Sequence, residues 1–124
     1  MKLLLDTHAA LWWLADDERL GRDAARQLSD ESNRVLLSAA VVWEVAIKRS
    51  LGKLDAPDGF AAALVSGGAQ PLAVSVEHAG TVERLPWRHR DPFDRLLVAQ
   101  AQIEGAAIVS ADAVLRSYGV TLVW

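Results

Sequence analysis

Residues 34–51, RVLLSAAVVWEVAIKRSL, carry a complete strand-to-helix unit. Residues 34–37 are a short, mostly apolar run without polar alternation, the pattern of a strand buried on both faces. Ser38 ends it. Residues 39–51 have helical length, and Gly52 follows, a residue suited to the left-handed conformation just beyond a helix. The same unit recurs. Residues 2–5 are an apolar run ending at Asp6, with a helix at 9–15. Residues 106–109 are another, running into Ser110, with a helix at 112–118. Further strands are expected at 72–74 and 120–123. Helices are expected at 22–28, at 57–65 with Pro57 in the first turn, at 76–85, and at 92–104. The last has Asp91 as cap, Pro92 as first helical residue and Gly105 as its stop. Strands alternating with helices predict an α/β fold: a mainly parallel sheet of four to five strands with helices on both faces.

The 124 residues predict a single domain, 1–124, without repeats or linkers. Cysteine is absent, which excludes disulfides and thiolate metal sites. In the opening MKLLL, Asp6 and His8 interrupt the apolar run before a signal peptide forms. The longest apolar stretches, 9–15 and 36–43, fall far short of the ~20 residues of a membrane span. The expectation is a soluble, cytoplasmic protein with no membrane partner. A net charge of −3 excludes holding nucleic acid by overall electrostatics, so any such contact must be local. A hydrophobic fraction of 52% with five tryptophans points to an oligomer or a bound partner.

Ligands of open parallel sheets bind outside the carboxyl ends of the strands. Three predicted strands end in polar residues there: one in Asp6 and Thr7, one in Ser38, one in Ser110 and Asp112. Each strand-end Asp also suits a helix N-cap. Glu44 has Ala40, Val41, Ile47 and Lys48 as its helical neighbours, and Asp94 is followed by Leu97, Val98 and Ala101, so both acids lie on largely apolar stripes. A carboxylate there needs a cation or several hydrogen bonds. Lys48 could pair with Glu44, and Arg90 or Arg95 with Asp94. The other reading is convergence of all four acids on a hard divalent cation, Mg²⁺ or Mn²⁺, which takes oxygen ligands. The lack of HExxH and of close histidine pairs argues against zinc.

The segments LLLDTHAALWWLAD (3–16), SAAVVWEVAIKRSLGKL (38–54), HRDPFDRLLVAQAQ (89–102) and IVSADAVLRSYGVTLVW (108–124) span nearly the whole chain. In that order they resemble the PIN-domain family, specifically its VapC-like ribonuclease toxins. By position Asp6, Glu44, Asp94 and Asp112 match the four family acids. The resemblance implies a three-layer α/β/α sandwich and a Mg²⁺-dependent (or Mn²⁺-dependent) endoribonuclease that leaves 5′-phosphate and 3′-hydroxyl ends. All four acids would be catalytic, with Asp6 and Asp94 as the most direct metal ligands and Asp112 and Glu44 reaching metal through water or holding a second ion. It further implies a homodimer, an RNA substrate, and inhibition by a cognate antitoxin in a type II toxin–antitoxin module. Val41 stands where similar sequences often carry a small hydroxyl residue, and Ser110 where they often carry Thr; neither change removes a carboxylate.

Other readings have their own marks. A receiver-like phosphoacceptor module would want a lysine after a late strand, where this chain has Ser110-Ala111-Asp112. A PIN-family RNA-processing nuclease, or a non-catalytic RNA-binding member, would share the fold, and the second would be expected to lose one of the acids. His8, His78 and His89 are not spaced as a metal cluster, and none is assigned as catalytic base; His8, beside Asp6, is the nearest candidate. Lys48, Arg49, Lys53, Arg88, His89, Arg90 and Arg95 flank the two helix acids. They read either as solvated charge or as a rim for an RNA backbone. Trp87 in that rim suits stacking on an unpaired base, whereas Trp12, Trp13 and Trp43 suit core or interface anchors. Asp91, before Pro92, reads as a cap rather than a ligand.

Overall fold

The computed structural model describes Met1 to Trp124. Leu3, Leu4 and Leu5 have no solvent exposure, as an apolar run with no alternation requires of a strand covered on both faces. They lie in β1 (Lys2–Leu5), the middle strand of a five-stranded sheet. The other strands are β2 (Arg34–Ser38), β3 (Gln70–Leu72), β4 (Ala107–Val109) and β5 (Leu122–Val123), in the order β3-β2-β1-β4-β5. Every pairing is parallel, with Leu4 opposite Leu36 on one side and Ile108 on the other. Helices α1 (Thr7–Leu14), α2 (Arg22–Ser29), α3 (Ala39–Ser50), α4 (Phe60–Ser66), α5 (Val76–Thr81) and α6 (Pro92–Glu104) flank the sheet in a three-layer α/β/α arrangement.

The strand order positions the site. From β1 the chain builds outward through β2 to β3, then returns to the other side of β1 for β4 and β5, so the winding reverses between β1 and β4. Such a reversal opens a crevice at the strands' carboxyl ends. There the Asp6 amide donates to the Val109 carbonyl over 3.1 Å, tying the two strand ends together. Helix α6 packs against α5, α3 and β4, which brings its first turn to the same edge.

Several expected boundaries move. Helix α4 begins at Phe60, with Gly59 left-handed at φ 70° before it, so Pro57 lies outside the helix. β3 runs from Gln70 to Leu72, two residues before the expected 72–74, because its span is set by pairing with residues 36–38 of β2; Pro71 is tolerated on this edge strand. The expected helix 76–85 is α5 followed by a 3₁₀ turn, Val82–Arg84. It stops before Pro86, which has no amide to continue it. Residues 113–118 are likewise 3₁₀ rather than α-helical.

Candidate active site

The strand-end acids are N-caps, the first of their two readings. Asp6 caps α1, its Oδ1 accepting from the Ala9 amide at 2.8 Å. Asp112 caps the following 3₁₀ turn, its Oδ1 accepting from the Val114 amide at 3.1 Å. The fully buried Ser110 hydroxyl accepts from the Asp112 amide at 3.1 Å. Burial pushes the Asp6 carboxyl up from the ordinary carboxylate range, and hydrogen bonding to Ser110 and Ala9 draws it partly back.

Glu44 on α3 is buried, and both of its oxygens are engaged. Thr7 Oγ1 donates to Oε1 at 2.5 Å, and Lys48 Nζ donates to Oε2 at 2.6 Å. The Lys48 partner foreseen one helical turn away is therefore in place, and its bond to Glu44 holds the Lys48 ammonium above its usual range.

Asp94 on α6 pairs with neither Arg90 nor Arg95. Its neighbour is His89, whose Nε2 lies 3.1 Å from Asp94 Oδ2 and 2.9 Å from Asp112 Oδ2. His89 Nδ1 accepts from the Asp91 amide at 3.1 Å, so in the neutral ring the proton sits on Nε2, aimed between the two acids. The Asp94 carboxyl is pushed up to about 7: burial contributes most, then the charge of Asp91, against the opposing effect of His89 and with smaller additions from Asp6 and Glu44. Ligand atoms of His89, Asp94 and Asp112 all lie within 4.8 Å of one another. Asp6 and Glu44 stand outside this tight trio but are close enough for their charges to act on Asp94. His89 is the site residue that sequence reasoning passed over. Asp91 accepts from the Phe93 and Asp94 amides, the cap expected of it.

The basic set divides. Lys48 is committed to Glu44, and Arg49 pairs with Asp58 at 2.5 Å. Arg95 is not part of the rim: it is 4% exposed, and its guanidinium donates to the carbonyls of Val82, Leu85 and Pro86. Arg88 and Arg90 form no ion pair and remain exposed on either side of His89 in the chain. His8 stacks near Trp12, with ring centroids 5.3 Å apart. Trp13 packs against the core, whereas Trp43 is exposed and meets Phe93 edge-on.

The sequence pattern of the PIN domain matches residues 3–120. The chain belongs to the PIN-domain family. Among PIN relatives, it is 29% identical to Ribonuclease VapC22 of Mycobacterium tuberculosis over 119 residues, which cover 94% of this chain and 91% of that protein. It is 40% identical to Ribonuclease VapC16 of the same organism over 74 residues, 53% of this chain and 51% of VapC16, so that match spans about half the length of the relative. Solved PIN folds superpose closely. The crystal structure of VapBC2 from Rickettsia felis bound to a DNA fragment from its promoter gives a TM-score of 0.71 at 14% identity, covering 98% of this chain and 97% of that one. VapC20 of M. tuberculosis, described as a sarcin-ricin loop cleaving toxin, gives 0.66 at 19% identity, with 96% of each chain covered. PIN membership sets aside the receiver-like reading.

Proposed function

We propose that the chain is an endoribonuclease dependent on a divalent cation, Mg²⁺ or Mn²⁺, and the toxin of a toxin–antitoxin module. The observation that carries this reading is the gathering of Asp94 and Asp112 around His89 at the crevice between β1 and β4, with Asp6 near enough for its charge to act on Asp94 and the Asp94 carboxyl held at about 7. Burial first, and then the charges of nearby acids, oppose ionisation of Asp94 unless a cation joins it. The donor set is oxygen-rich with one imidazole beside it, which fits a hard divalent ion.

Asp6, Asp94 and Asp112 would hold that ion. When bound, it would supply Lewis-acid chemistry at the scissile phosphate, the attacking water and the departing oxygen. The chain's own groups do the rest. The caps on α1 and on the 3₁₀ turn fix one oxygen each of Asp6 and Asp112, so neither carboxylate rotates away. His89 fixes Asp94 and Asp112 relative to each other. Glu44, with both oxygens held by Thr7 and Lys48, stays close enough for its charge to act on Asp94. Water adds to phosphorus and the 3′-oxygen leaves, producing 5′-phosphate and 3′-hydroxyl ends. Arg88 and Arg90 supply the local positive charge that the acidic chain lacks overall.

The ribonuclease names of VapC22 and VapC16, and the toxin description of VapC20, support the reading. On the same reading the protein is a cytoplasmic homodimer held in check by a cognate antitoxin. An apolar groove of about 460 Å³, lined by Leu37, Val42, Trp43, Val65 and Leu72 among others, offers surface for such partners. The deciding experiment is incubation of a mixed RNA pool with the purified protein and Mg²⁺, with and without chelator. Chelator-sensitive products with 5′-phosphate ends are expected. RNA binding with no cleavage would make this a non-catalytic family member, and cleavage without growth arrest on expression would make it a processing nuclease.

A further inference from the structure

Trp87 is 79% exposed, although exposing an indole to water is unfavourable. It is not loose. One face lies on the Arg95 guanidinium, whose Cζ is 4.1 Å from the ring centroid. Arg95 donates to the carbonyls of Val82, Leu85 and Pro86 and approaches the Tyr118 hydroxyl. That hydroxyl in turn accepts from the Arg88 amide at 3.3 Å and the His89 amide at 2.8 Å. The loop is thus fastened from below by two buried side chains while the other face of the indole is open.

The charged side chains nearest the indole are cationic. Arg95 is buried without a carboxylate partner, so its charge is solvated by carbonyls but not neutralised. Arg88 and Arg90 add two exposed cations. A hollow of about 510 Å³ is lined by Trp87, Arg88, His89 and Arg90, and its one apolar wall is the indole. His89 itself reaches Asp94 and Asp112. A tryptophan anchoring a protein interface sits among other apolar groups; this one sits among arginines beside the His89, Asp94 and Asp112 cluster.

We infer that Trp87 is a stacking platform for an unpaired nucleobase adjoining the scissile phosphate, with Arg88 and Arg90 on the neighbouring phosphates. At that position the indole would favour an unpaired base over a paired one. This rests on the ribonuclease reading above. Stacking on an indole needs a splayed base with a free π-face, which a duplex does not offer, and it tolerates any base identity.

The test measures binding of 5′-labelled single-stranded and duplex RNA oligonucleotides by fluorescence anisotropy at fixed salt, in an Asp6→Asn background that leaves the RNA intact. Trp87→Ala should weaken single-strand binding by about 5- to 150-fold, the range of one lost base stack. Trp87→Phe should restore most of it, and duplex affinity should change less than about twofold. Each of Arg88→Ala and Arg90→Ala should weaken both ligands and lower the salt slope by about one. Unchanged single-strand affinity in Trp87→Ala, or an equal loss for duplex, overturns the inference. So does a variant that binds RNA normally but loses a co-expressed antitoxin, which would assign the loop to a protein. Wild-type cleavage of the same oligonucleotides separates the two readings: no cleavage and no binding removes the ribonuclease reading itself, whereas cleavage with an unaltered KM in Trp87→Ala removes the base subsite alone.

Discussion

Replacing Asp94 by Asn should stabilise the metal-free protein at neutral and alkaline pH. The Asp94 carboxyl is held near 7 in the folded state, against 3.8 for an unperturbed aspartate. The difference is about three pH units, and each unit is worth about 1.4 kcal/mol. The side chain is 24% exposed, so water screens part of this, leaving a penalty on the order of 2–4 kcal/mol above pH 7. Between the unfolded value near 4 and the folded value near 7, the folded state binds more protons than the unfolded one. Stability in chelator should therefore rise as the pH is lowered from 8 towards 5. Asn mimics the protonated acid, so Asp94→Asn should lose most of this dependence and melt several degrees higher than wild type at pH 8. Mg²⁺ at about a hundred times its dissociation constant should add roughly 2.7 kcal/mol to wild type and much less to the variant. Thermal melts of both proteins at pH 5 and pH 8, in chelator and in a Mg²⁺ titration, give all four quantities. A variant less stable than wild type in chelator at pH 8 would refute the reasoning, because it would show that His89 needs the Asp94 charge as an ion-pair partner. Equal Mg²⁺ stabilisation of the two proteins would refute the ligand assignment.

Lys48→Met leaves the buried Glu44 carboxylate with Thr7 as its one remaining partner, and denaturant unfolding at pH 8 should show a loss of about 1–3 kcal/mol. Arg95→Met removes the side-chain donor from the Val82, Leu85 and Pro86 carbonyls, of which Val82 and Pro86 keep the Leu85 and Arg88 amides; a loss of about 1–3 kcal/mol is expected, with faster proteolysis in the 85–90 loop than in wild type. Expression of the wild type without its partner should arrest bacterial growth, and co-expression of the adjacent antitoxin should restore it; normal growth at high soluble yield would place a processing nuclease ahead of a toxin.

What the chain reveals unaided follows the range of the interactions concerned. β1, β2 and the end of β4 are legible because a strand covered on both faces must be apolar throughout. Asp6 and Asp112 stand out as polar residues at the ends of such runs, and Glu44 and Asp94 as acids on apolar stripes. The Glu44–Lys48 pair is visible because one helical turn separates its members. β3 is displaced because three residues on an edge take their register from β2 rather than from their own composition. His89 and Arg95 were out of reach for a related reason. The His89 ring meets Asp112 23 residues away, and its amide meets Tyr118 29 residues away. Both partners lie on the segment after β4 that the sheet folds back over the loop. Arg95 follows Asp94 directly, but one step around a helix is about 100°, which sends the acid to the crevice and the cation beneath the loop.

The central claim, that the strand-end and α6 acids form a cation site that cleaves RNA, is tested most directly by comparing RNA cleavage by wild type, Asp6→Asn and Asp94→Asn at saturating Mg²⁺, with circular dichroism to verify that all three are folded. Cleavage by the wild type that stops on adding chelator, and is lost in both folded variants, is the predicted result. A folded variant that cleaves at near the wild-type rate would contradict it.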